Sequence, residues 1–552
     1  MSAASADLME PDYQRLEFAY RRSPDQDAPD PPRHPVVVTG AGPVGLAAAI
    51  DLAQRGISVV LLDDDNRLST GSRAICFAKR TLEIFDRLGL GERVAAKGVR
   101  WNLGKVFLRD ALLYQFDLLP ETAHHRPAFV NIQQYYVEGY LAERALALRG
   151  LDLRWSNRVI GLEQTGDGVL LTVETPDGAY RLRADWVIAA DGGRSPIRAM
   201  MGLESKGRVF RDRFLIADVR MAADFPAERW FWFDPPFHPG QSVLLHRQPD
   251  NVWRIDFQLG WDADPALETA PERVLPRIRA LLGQDARFEL EWVSIYTFAC
   301  RRMERFRHGR VLFAGDAAHG VSPFGARGAN SGVQDADNLA WKLAAVLRGE
   351  APEALLDSYA AEREAAADEN LLNSTRATDF ITPKSEISRL FRDAVLDLAR
   401  DAPFARALVN SGRLSTPTVL RDSALNTPDA DSFEGPMVPG SPATDAPILV
   451  DGAPGWLLEQ IGQGFTLLCF GALPDAVPEE ARTLLVDPAG AVPEGVIAIE
   501  DSEGLLARRY DARPGTAYLL RPDQHVCARW RAPRLAGIRR AMATALGWEM
   551  AS

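Results

Sequence analysis

The chain has 552 residues, of which 46% are hydrophobic, 25% charged and 9% aromatic. This composition is typical of a globular protein with two or three domains that each bury a core. The formal net charge of -12 argues against nucleic acid and against an anionic membrane as partners. No apolar run approaches the roughly 18 residues that a membrane-spanning helix needs, so no association with a membrane is expected.

The N-terminal region and the cysteines indicate the setting of the protein. Residues 1–22 lack the apolar core of a signal peptide. The cysteines lie far apart, without a C-x-x-C pair or a metal-binding spacing, at Cys76, Cys300, Cys469 and Cys527. Such cysteines suit a reducing compartment, so a cytoplasmic protein without a metal site is expected. Residues 1–34 are predicted to form an extended arm, with a Pro- and Asp-rich linker over 23–35.

A βαβ unit is predicted directly after the arm. An apolar run at Val36–Val38, a helical stretch over 46–54 and a second apolar run at Val59–Leu62 surround the first motif, Gly40-Ala41-Gly42-Pro43-Val44-Gly45. In this context the glycines allow a tight turn and a close approach of the backbone to a pyrophosphate at the helix N-terminus. Asp63 lies 18 residues after Gly45, where its carboxylate can accept hydrogen bonds from both hydroxyls of a ribose. The alternative interpretation is that the glycines only form a turn.

Two more short motifs follow apolar runs that are predicted to be buried strands. The second motif, Asp191-Gly192, comes after Asp185–Ala190, and the third motif, Gly315-Asp316, comes after Gly309–Ala314. The third motif is followed by Pro323-Phe324-Gly325, by Gly328-Ala329-Asn330 and by a helix predicted over about 334–347. The first motif alone would not distinguish among nucleotides, whereas the three motifs in this order indicate a single bound dinucleotide.

With these motifs in this order and spacing, the chain resembles the class A flavoprotein monooxygenases, the single-component FAD-dependent aromatic hydroxylases, over about residues 35–400. The resemblance is greatest to hydroxylases of the 3-(3-hydroxyphenyl)propionate and phenol type. It implies FAD as the resident cofactor and NADH or NADPH as a transient co-substrate, since no second G-x-G-x-x-G unit follows a strand. It also implies that Asp316 binds the ribityl chain and that the helix near Gly328 directs its N–H groups at the flavin, where a helix N-terminus stabilises the anionic reduced form.

The resemblance assigns further residues to the cofactor site. Besides the three motifs and Asp63, they are Arg73, Gln133, Pro323, Gly328, Ala329 and Asn330. One departure from the family pattern is Arg327, because relatives commonly have a glutamine–glycine pair at this place. Its guanidinium either adds positive charge beside the flavin or projects into solvent.

The substrate pocket and the catalytic groups are predicted less directly. Relatives bind the aromatic substrate against a sheet domain, which here contains four consecutive aromatic residues. The predicted pocket residues are Trp230, Trp232, Phe237, Pro323 and Phe324, although aromatic residues in a strand often belong to a plain core. Arg254 matches a family arginine near the flavin, and His246 and Tyr296 are the candidates for taking a proton from a phenol.

These assignments predict an α/β protein of three domains. A Rossmann-type FAD-binding domain spans 35–205 and 298–410, and an antiparallel-sheet substrate domain is interleaved over 206–297, as in p-hydroxybenzoate hydroxylase. A linker over 411–447 leads to residues 448–552, which resemble the thioredoxin-like C-terminal domain of phenol-type hydroxylases. Without a C-x-x-C pair this domain cannot perform dithiol chemistry, so a packing role or a role in a homodimer is expected.

The resemblance implies that NAD(P)H reduces FAD, that O₂ adds at flavin C4a, and that the terminal oxygen of the hydroperoxide passes to a phenolic ring, such as that of a hydroxyphenyl carboxylic acid. The protein then has to hold the ring and exclude water. One alternative is a related flavin oxygenase, an epoxidase or halogenase, although Trp230–Pro235 only half matches the halogenase pattern. The other is a non-catalytic flavin-fold interaction protein, which the intact motifs disfavour.

Overall fold

The computed structural model describes residues 12–69, 74–210, 212–223, 225–409 and 414–548. Numbered α1 to α14 in chain order, its helices are Pro43–Gln54, Lys79–Leu88, Gly91–Lys97, Gln134–Ala147, Pro196–Met200, Pro265–Glu268, Pro271–Leu282, Gly328–Leu347, Leu355–Ile381, Glu386–Ala399, Pro403–Leu408, Leu457–Gln460, Leu505–Arg509 and Leu535–Ala545. Short 3₁₀ helices span Pro24–Asp27 and Gly315–Ala317. Within the described ranges, none of the helices is long and apolar enough to cross a membrane.

The strands are numbered β1 to β28 in chain order. Those of the first half are Arg33–Thr39, Val59–Leu62, Cys76–Ala78, Val99–Trp101, Leu103–Leu108, Ala111–Asp117, Phe129–Asn131, Leu151–Arg154, Arg158–Gln164, Val169–Thr175, Gly178–Ala189, Ser205–Val209, Arg213–Arg220 and Arg229–Phe233. Those of the second half are Ser242–Arg247, Val252–Leu259, Glu289–Tyr296, Ala299–Met303, Arg307–His308, Val311–Phe313, His319–Gly320, Pro447–Val450, Ala453–Trp456, Phe465–Phe470, Ala481–Val486, Val496–Ile499, Ala517–Leu520 and Val526–Trp530.

The nucleotide-binding part is built on a sheet in which β20, β11, β1, β2 and β8 run parallel to one another in that order. Strands β2 and β20 and the last parts of β1 and β11 are continuous apolar runs, as expected for a parallel sheet that is covered on both faces. The register places Thr39 beside Ala189 and Ala189 beside Phe313. Helix α1 begins at Pro43, a residue that is favoured at the first helical position because it has no N–H to leave unsatisfied. The predicted Rossmann-type architecture is confirmed.

The second large sheet has the strand order β17-β13-β16-β15-β14-β5-β6 and is antiparallel except for the pair of β14 and β5. It therefore includes Leu103–Leu108 and Ala111–Asp117, which the sequence had placed in the FAD-binding domain. These two strands belong to the sheet because Arg229–Phe233 pairs with residues 104–108 far away in sequence. The boundary at residue 206 is corrected accordingly.

The two faces of this sheet have different coverings, and we name each after its covering helices. On the α7 face, Trp232, Val243 and Phe257 pack with Val274 and Ile278 of α7. On the α9 face, the sheet packs against α9, α10 and α11. The aromatic and aliphatic side chains of that cluster include Phe214, Phe231, Phe233, Leu244, Phe324, Ile381 and Leu396.

The N-terminal arm (residues 12–34) is not a loose linker over its described part. Tyr13 is buried within the main hydrophobic core. Ser23 is also buried and caps the 3₁₀ helix Pro24–Asp27. Asp25 binds both Arg154 and His34. Polar residues of the arm thus bind the domain surface through side-chain hydrogen bonds, which the composition of the segment did not reveal.

The predicted linker is likewise packed from residue 414 onward. Leu425 and Ala446 are fully buried, and the backbone N–H of Ser415 donates to the carbonyl oxygen of Gly325 at 2.8 Å. The C-terminal domain that follows is a five-stranded sheet of order β26-β25-β24-β27-β28. Its β24, β25 and β26 are parallel, and β27 and β28 are antiparallel to their neighbours, which agrees with the predicted thioredoxin-like fold.

Buried charges join the C-terminal domain to α8 and α9. Arg521 donates to Glu362 at 2.6 Å and to Asp523 at 2.6 Å, while Lys342 and Asn338 of α8 each donate to Glu362 at 2.7 Å. Burial by itself raises the pKa of Glu362, but Arg521 and Lys342 bring that pKa well below its ordinary value. Each buried charge thus has a partner of opposite sign, which a buried ion needs to be tolerated.

We expect Glu362→Gln to lower the melting temperature markedly. The substitution removes the shared anion and leaves Arg521 and Lys342 buried without it, a change that typically costs about 3–5 kcal/mol. Thermal and urea unfolding of the purified protein measure the effect. The exposed Glu479 provides the control, since Glu479→Gln should leave the unfolding midpoint unchanged; an equal effect of the two substitutions would contradict the role given to Glu362.

Candidate active site

The three glycine- and aspartate-containing motifs meet at one edge of the parallel sheet. They follow β1, β11 and β20, whose last residues Thr39, Ala189 and Phe313 are aligned side by side. In open α/β sheets, ligands bind beyond the carboxyl ends of the strands. Motifs separated by more than a hundred residues in sequence therefore form one continuous lining.

The glycines of the first motif have distinct roles that the structure separates. Gly40 has φ of +94°, and a Cβ there would lie 2.5 Å from the carbonyl oxygen of Ala190. A Cβ on Gly45 would lie 1.9 Å from the carbonyl oxygen of Gly40. A Cβ on Gly42, in contrast, would have no heavy atom within 4 Å. Gly40 and Gly45 are thus required by the fold, whereas Gly42 leaves the backbone open to a ligand.

The third motif is fixed by Asp335, a residue of α8 that sequence reasoning missed. Its carboxylate accepts hydrogen bonds from Gly315 N at 2.9 Å, from Arg363 Nε at 2.7 Å and contacts His319 Nε2 at 2.7 Å. Asp335 is fully buried, while Asp316 is exposed between buried neighbours. The only signal in the sequence was a carboxylate at an otherwise apolar position of a helix.

Asp63 connects the first motif to the loop after β2. One carboxylate oxygen accepts the N–H of Ala41 at 2.5 Å, and the other accepts the N–H of Asp65 at 2.9 Å. Burial raises the pKa of Asp63 to about 6. Each oxygen of a carboxylate has a second acceptor site, so these bonds leave capacity for the hydroxyls of a ribose.

Several buried polar atoms of the described residues have no protein partner. They include Asp191 Oδ1 of the second motif, Gln133 Oε1 before α4 and, on the antiparallel sheet, His246 Nδ1. Buried polar atoms are normally hydrogen-bonded, so each such exception needs an explanation. Hydroxyl, amide and ring N–H donors of a bound dinucleotide would satisfy the two oxygens, and the residues present therefore fit such a ligand.

Helix α8 begins at Gly328, where the resemblance placed its start and about six residues before the helix predicted over 334–347. Its start is held by Asn330, whose amide donates to the carbonyl oxygens of Cys76 at 2.9 Å and Ala326 at 2.6 Å and whose oxygen accepts from Ala78 N at 2.8 Å. No side chain caps the helix, so its first N–H groups and its positive dipole end are available to an anionic ligand. Asn330 thus positions this helix start.

The remaining predicted cofactor residues are placed as follows. Arg327 is buried and donates to the carbonyl oxygen of Phe324 at 2.9 Å, so the alternative in which it projects into solvent is wrong. Pro323 is exposed at the start of the same turn, and Ala329 is half-buried against the main core. Arg73 lies outside the described residues.

A row of ionisable side chains crosses the α9 face of the antiparallel sheet. Asp218 pairs with Arg254, and Arg254 pairs with His246 on the next strand. Arg229 follows on β14, on the same side as Phe231, with its guanidinium 6.0 Å from the centre of that ring. Arg254 also donates to Asp256 at 3.0 Å. All four members of the row are buried.

This row holds its ionisable groups in unusual states. Burial, together with the charges of Arg229 and Arg254, lowers the pKa of His246 well below its ordinary value, so the imidazole is neutral at physiological pH. Burial raises the pKa of Asp218 to about 7, although Arg254 opposes that shift. A neutral imidazole has one donor and one acceptor nitrogen. The ring of His246 can therefore form a hydrogen bond with a substrate hydroxyl without carrying a charge.

Tyr296, the other predicted proton acceptor, lies elsewhere on the sheet. It pairs with Phe214 on the edge strand β17. Three strand spacings and four residues along the strand separate it from His246, which amounts to roughly 20 Å. The backbone positions of Tyr296 and His246 are therefore far apart, while the Tyr296 side chain is still an electrostatic neighbour of Arg254.

The predicted substrate pocket is split by the sheet, and its composition is corrected. Trp230, Trp232 and Phe237 pack on the α7 face with the core of that layer, whereas Phe324 packs on the α9 face against Phe214, with ring centres 4.8 Å apart. The reason is the two-residue period of β14: Phe231 and Phe233 alternate with the tryptophans and join Phe324. The aromatic pair on the side of the ionisable row is therefore Phe231 and Phe233.

Comparison with known proteins decides the nature of this site. Residues 33–374 match the family model described as FAD binding domain. The chain belongs to this family. Since the matched region includes all three motifs, the bound dinucleotide is FAD and the chain is a flavoprotein monooxygenase that uses NAD(P)H.

Relatives of known description extend over nearly the whole chain. A probable NADH-specific resorcinol 4-hydroxylase of Rhodococcus jostii is 30% identical over 531 residues, 93% of this chain and 95% of that protein. A 3-(3-hydroxy-phenyl)propionate/3-hydroxycinnamic acid hydroxylase of Mycolicibacterium smegmatis is 27% identical over 535 residues, 91% and 92% of the two chains. The crystal structure of aklavinone-11 hydroxylase with FAD and aklavinone has a TM-score of 0.73 at 25% identity and covers 94% of this chain and 99% of that chain. The resemblance to class A aromatic hydroxylases is confirmed.

FAD supplies the redox and oxygen-transfer chemistry of this family when it is bound. We predict which residues of this chain would hold it. The open backbone at Gly42 and the start of α1 would bind its pyrophosphate, and Asp63 would bind its adenosine ribose. At the other end, Asp316 and the start of α8 would bind the ribityl chain and the ring system.

We expect Gly42→Val to abolish tight FAD binding while the protein remains folded. Because a Cβ at this position has no protein atom within 4 Å, we expect the ligand to be the group that is obstructed, and the affinity for FAD should fall by about a hundredfold, or about 2.7 kcal/mol. Fluorescence titration of apoprotein with FAD measures it. Gly166→Val, at an exposed glycine that also meets no atom, should bind FAD normally. Unchanged binding by Gly42→Val would remove this turn from the cofactor site.

The raised pKa of Asp63 predicts a pH dependence of FAD affinity. Ribose hydroxyls donate to the ionised carboxylate, so binding favours the charged form, and below the pKa of about 6 a proton must first be lost. Affinity should therefore fall about tenfold for each pH unit below that pKa and be constant above it. This pH dependence should disappear in Asp63→Asn. The control is Asp64→Asn, at the exposed neighbouring residue, which should keep the pH dependence of the wild type. A pH-independent wild type would contradict the proposed ribose contact.

Proposed function

We propose that this monooxygenase hydroxylates the ring of a small phenolic substrate bound on the α9 face of the antiparallel sheet. One observation carries the proposal: Phe231 and Phe233 share this face with His246, Arg229 and Arg254. An apolar aromatic surface beside a few buried polar groups is the common composition of a small-molecule site. The names of the relatives, a resorcinol hydroxylase and a hydroxyphenylpropionate hydroxylase, support the same substrate class.

The buried row gives the phenolic hydroxyl a defined environment. The guanidinium groups of Arg229 and Arg254 favour an ionised phenol, because positive charge stabilises the anion. His246 Nδ1 has no partner in the described residues, and the neutral ring can accept the hydrogen bond of a phenolic O–H. An ionised phenol has the more electron-rich ring, which is the form that an electrophilic oxygen attacks.

The same row also suits a substrate that carries a carboxylate. Arginine binds carboxylates through paired N–H groups, and the two guanidinium groups lie on one face with His246 between their strands. Within the phenolic class we therefore propose a hydroxyphenyl carboxylic acid. The aromatic cluster around Phe324 would at the same time exclude water from the reacting ring, which oxygen transfer requires.

The proposal predicts that a phenolic acid accelerates the reduction of the flavin by NAD(P)H and that the α9 face controls coupling. Phe231→Ala should enlarge the site, admit water and increase the hydrogen peroxide released per NAD(P)H consumed. Trp232→Ala, one residue away on the α7 face, is the matched control: it should lower stability through the cavity it leaves with little change in coupling.

Stopped-flow reduction with and without a panel of phenols and phenolic acids, followed by product analysis, tests the substrate class. Equal reduction rates with and without every phenol would remove ring hydroxylation and favour another flavin-dependent oxygenation. Uncoupling by Trp232→Ala but not by Phe231→Ala would instead place the substrate on the opposite face of the sheet.

We further propose a cytoplasmic homodimer. The four cysteines are all free, which suits a reducing compartment. On α10 and α11 a group of apolar side chains is exposed, namely Ile387, Leu390, Phe391, Leu398, Phe404 and Leu408. Large exposed apolar patches commonly mark protein interfaces.

Sedimentation velocity over a range of concentrations measures the oligomeric state. Leu390→Glu should dissociate the dimer, whereas Leu267→Glu, at an exposed leucine of α6, should not. A wild-type protein that sediments as a monomer at every concentration would contradict the homodimer.

A further inference from the structure

The N-terminal arm is attached to the nucleotide-binding domain by a ring that occupies a notch in α4. Tyr13 is 1% exposed, and the notch exists because residue 139 is glycine: a Cβ there would lie 2.3 Å from Tyr13 Cδ1. The hydroxyl of Tyr13 donates to Glu143 at 2.5 Å, and Arg93 donates to that hydroxyl at 2.8 Å. The attachment therefore combines close packing with two hydrogen bonds to charged groups, which are stronger than neutral ones.

A few residues later the arm reaches the loop that follows β2. The N–H of Phe18 donates to the carbonyl oxygen of Asn66 at 2.8 Å, Glu17 and Arg67 form an isolated antiparallel bridge, and their side chains form an ion pair. The ring of Phe18 stacks on Trp155 with centres 4.4 Å apart and planes 9° apart. The arm thus contacts the loop through one isolated β-bridge, a further backbone hydrogen bond and an ion pair.

This loop carries Asp63, the predicted ligand of the adenosine ribose. Its inner side is held by the end of β8, since Ser156 N donates to Asp65 O at 3.0 Å and Asn157 N donates to Asp63 O at 2.7 Å. The arm supplies the outer side. A loop with fewer contacts has more conformations, and ordering it on binding carries an entropic cost for each residue that is fixed.

We infer that the N-terminal arm has a cofactor-retaining role: Tyr13, Glu17 and Phe18 are positioning residues that keep the loop of residues 63–68 in the conformation that binds the adenosine half of FAD. The contacts of the arm lie with α4, β8 and this loop, and further along with Thr175 and Asp177 at the turn between β10 and β11. The flavin end is held by different elements, the third motif and the start of α8. The inference rests on FAD binding and is independent of the substrate proposed above.

Gly139→Ala provides the sharpest test. Alanine is a better helix former than glycine, so α4 is not weakened, yet the added Cβ displaces the ring of Tyr13. We expect this substitution and Tyr13→Ala each to weaken FAD binding about tenfold and to accelerate FAD dissociation. The double variant should be no weaker than either single variant, because both changes remove the same contact.

FMN, which lacks the adenosine half, separates this role from a general loss of stability. Titration of the apoproteins by flavin fluorescence should show that the affinity for FMN is unchanged in all three variants. As a control within the arm, Arg22→Ala removes contacts to Asp27 and Asp177, away from the loop, and should leave the affinity for FAD unchanged.

Unaltered FAD affinity in folded Gly139→Ala protein would overturn the inference. An equal loss of FMN and FAD affinity would also overturn it, since the arm would then only stabilise the domain. If Tyr13→Ala fails to fold, Gly139→Ala alone decides the question through the ratio of the two affinities.

Discussion

The close contact of three backbone segments at the carboxyl edge of the parallel sheet is the constraint on which the rest of the structure depends. Gly40 lies against Ala190, and Gly45 lies against Gly40, at separations that no Cβ would permit. This contact brings the ends of β1, β11 and the start of α1 together, and Val44 of the same turn packs against Gly315 and Gly332. The cofactor site is therefore a consequence of backbone packing, and the side chains that line it are added to an edge that already exists.

Helix α8 forms hydrogen bonds to several separate parts of the protein. Near its start, Asn330 holds β3, and one turn later Asp335 holds the third motif. Further along, Asn338 and Lys342 join the buried charges of the C-terminal domain. One helix thus connects β3, the third motif and the last domain, and the C-terminal domain is joined to the cofactor-binding domain through paired buried charges.

The two-residue period of its strands gives the antiparallel sheet one apolar face and one face that also carries ionisable groups. Trp232 and its neighbours on the α7 face form a continuous apolar layer with α7, whereas the α9 face combines phenylalanines with Asp218, Arg254, His246 and Arg229. Buried ionisable groups are expensive and persist where they are paired or functional. Their concentration on one face is the strongest structural indication of where the substrate binds.

Much of this protein followed from local patterns in the sequence. The βαβ unit, the later strands that precede the second and third motifs, and the motifs themselves were predictable, because hydrophobic period and glycine placement depend on neighbouring residues alone. The face of the sheet on which each aromatic residue lies was not predictable, and strand pairing placed Phe231 rather than Trp232 on the face of the ionisable row. Nor could composition show that the arm and the segment after residue 414 are packed. By itself the sequence determined the cofactor and the fold class; only the tertiary structure decided which residues share a face, since that depends on strand pairing between distant segments.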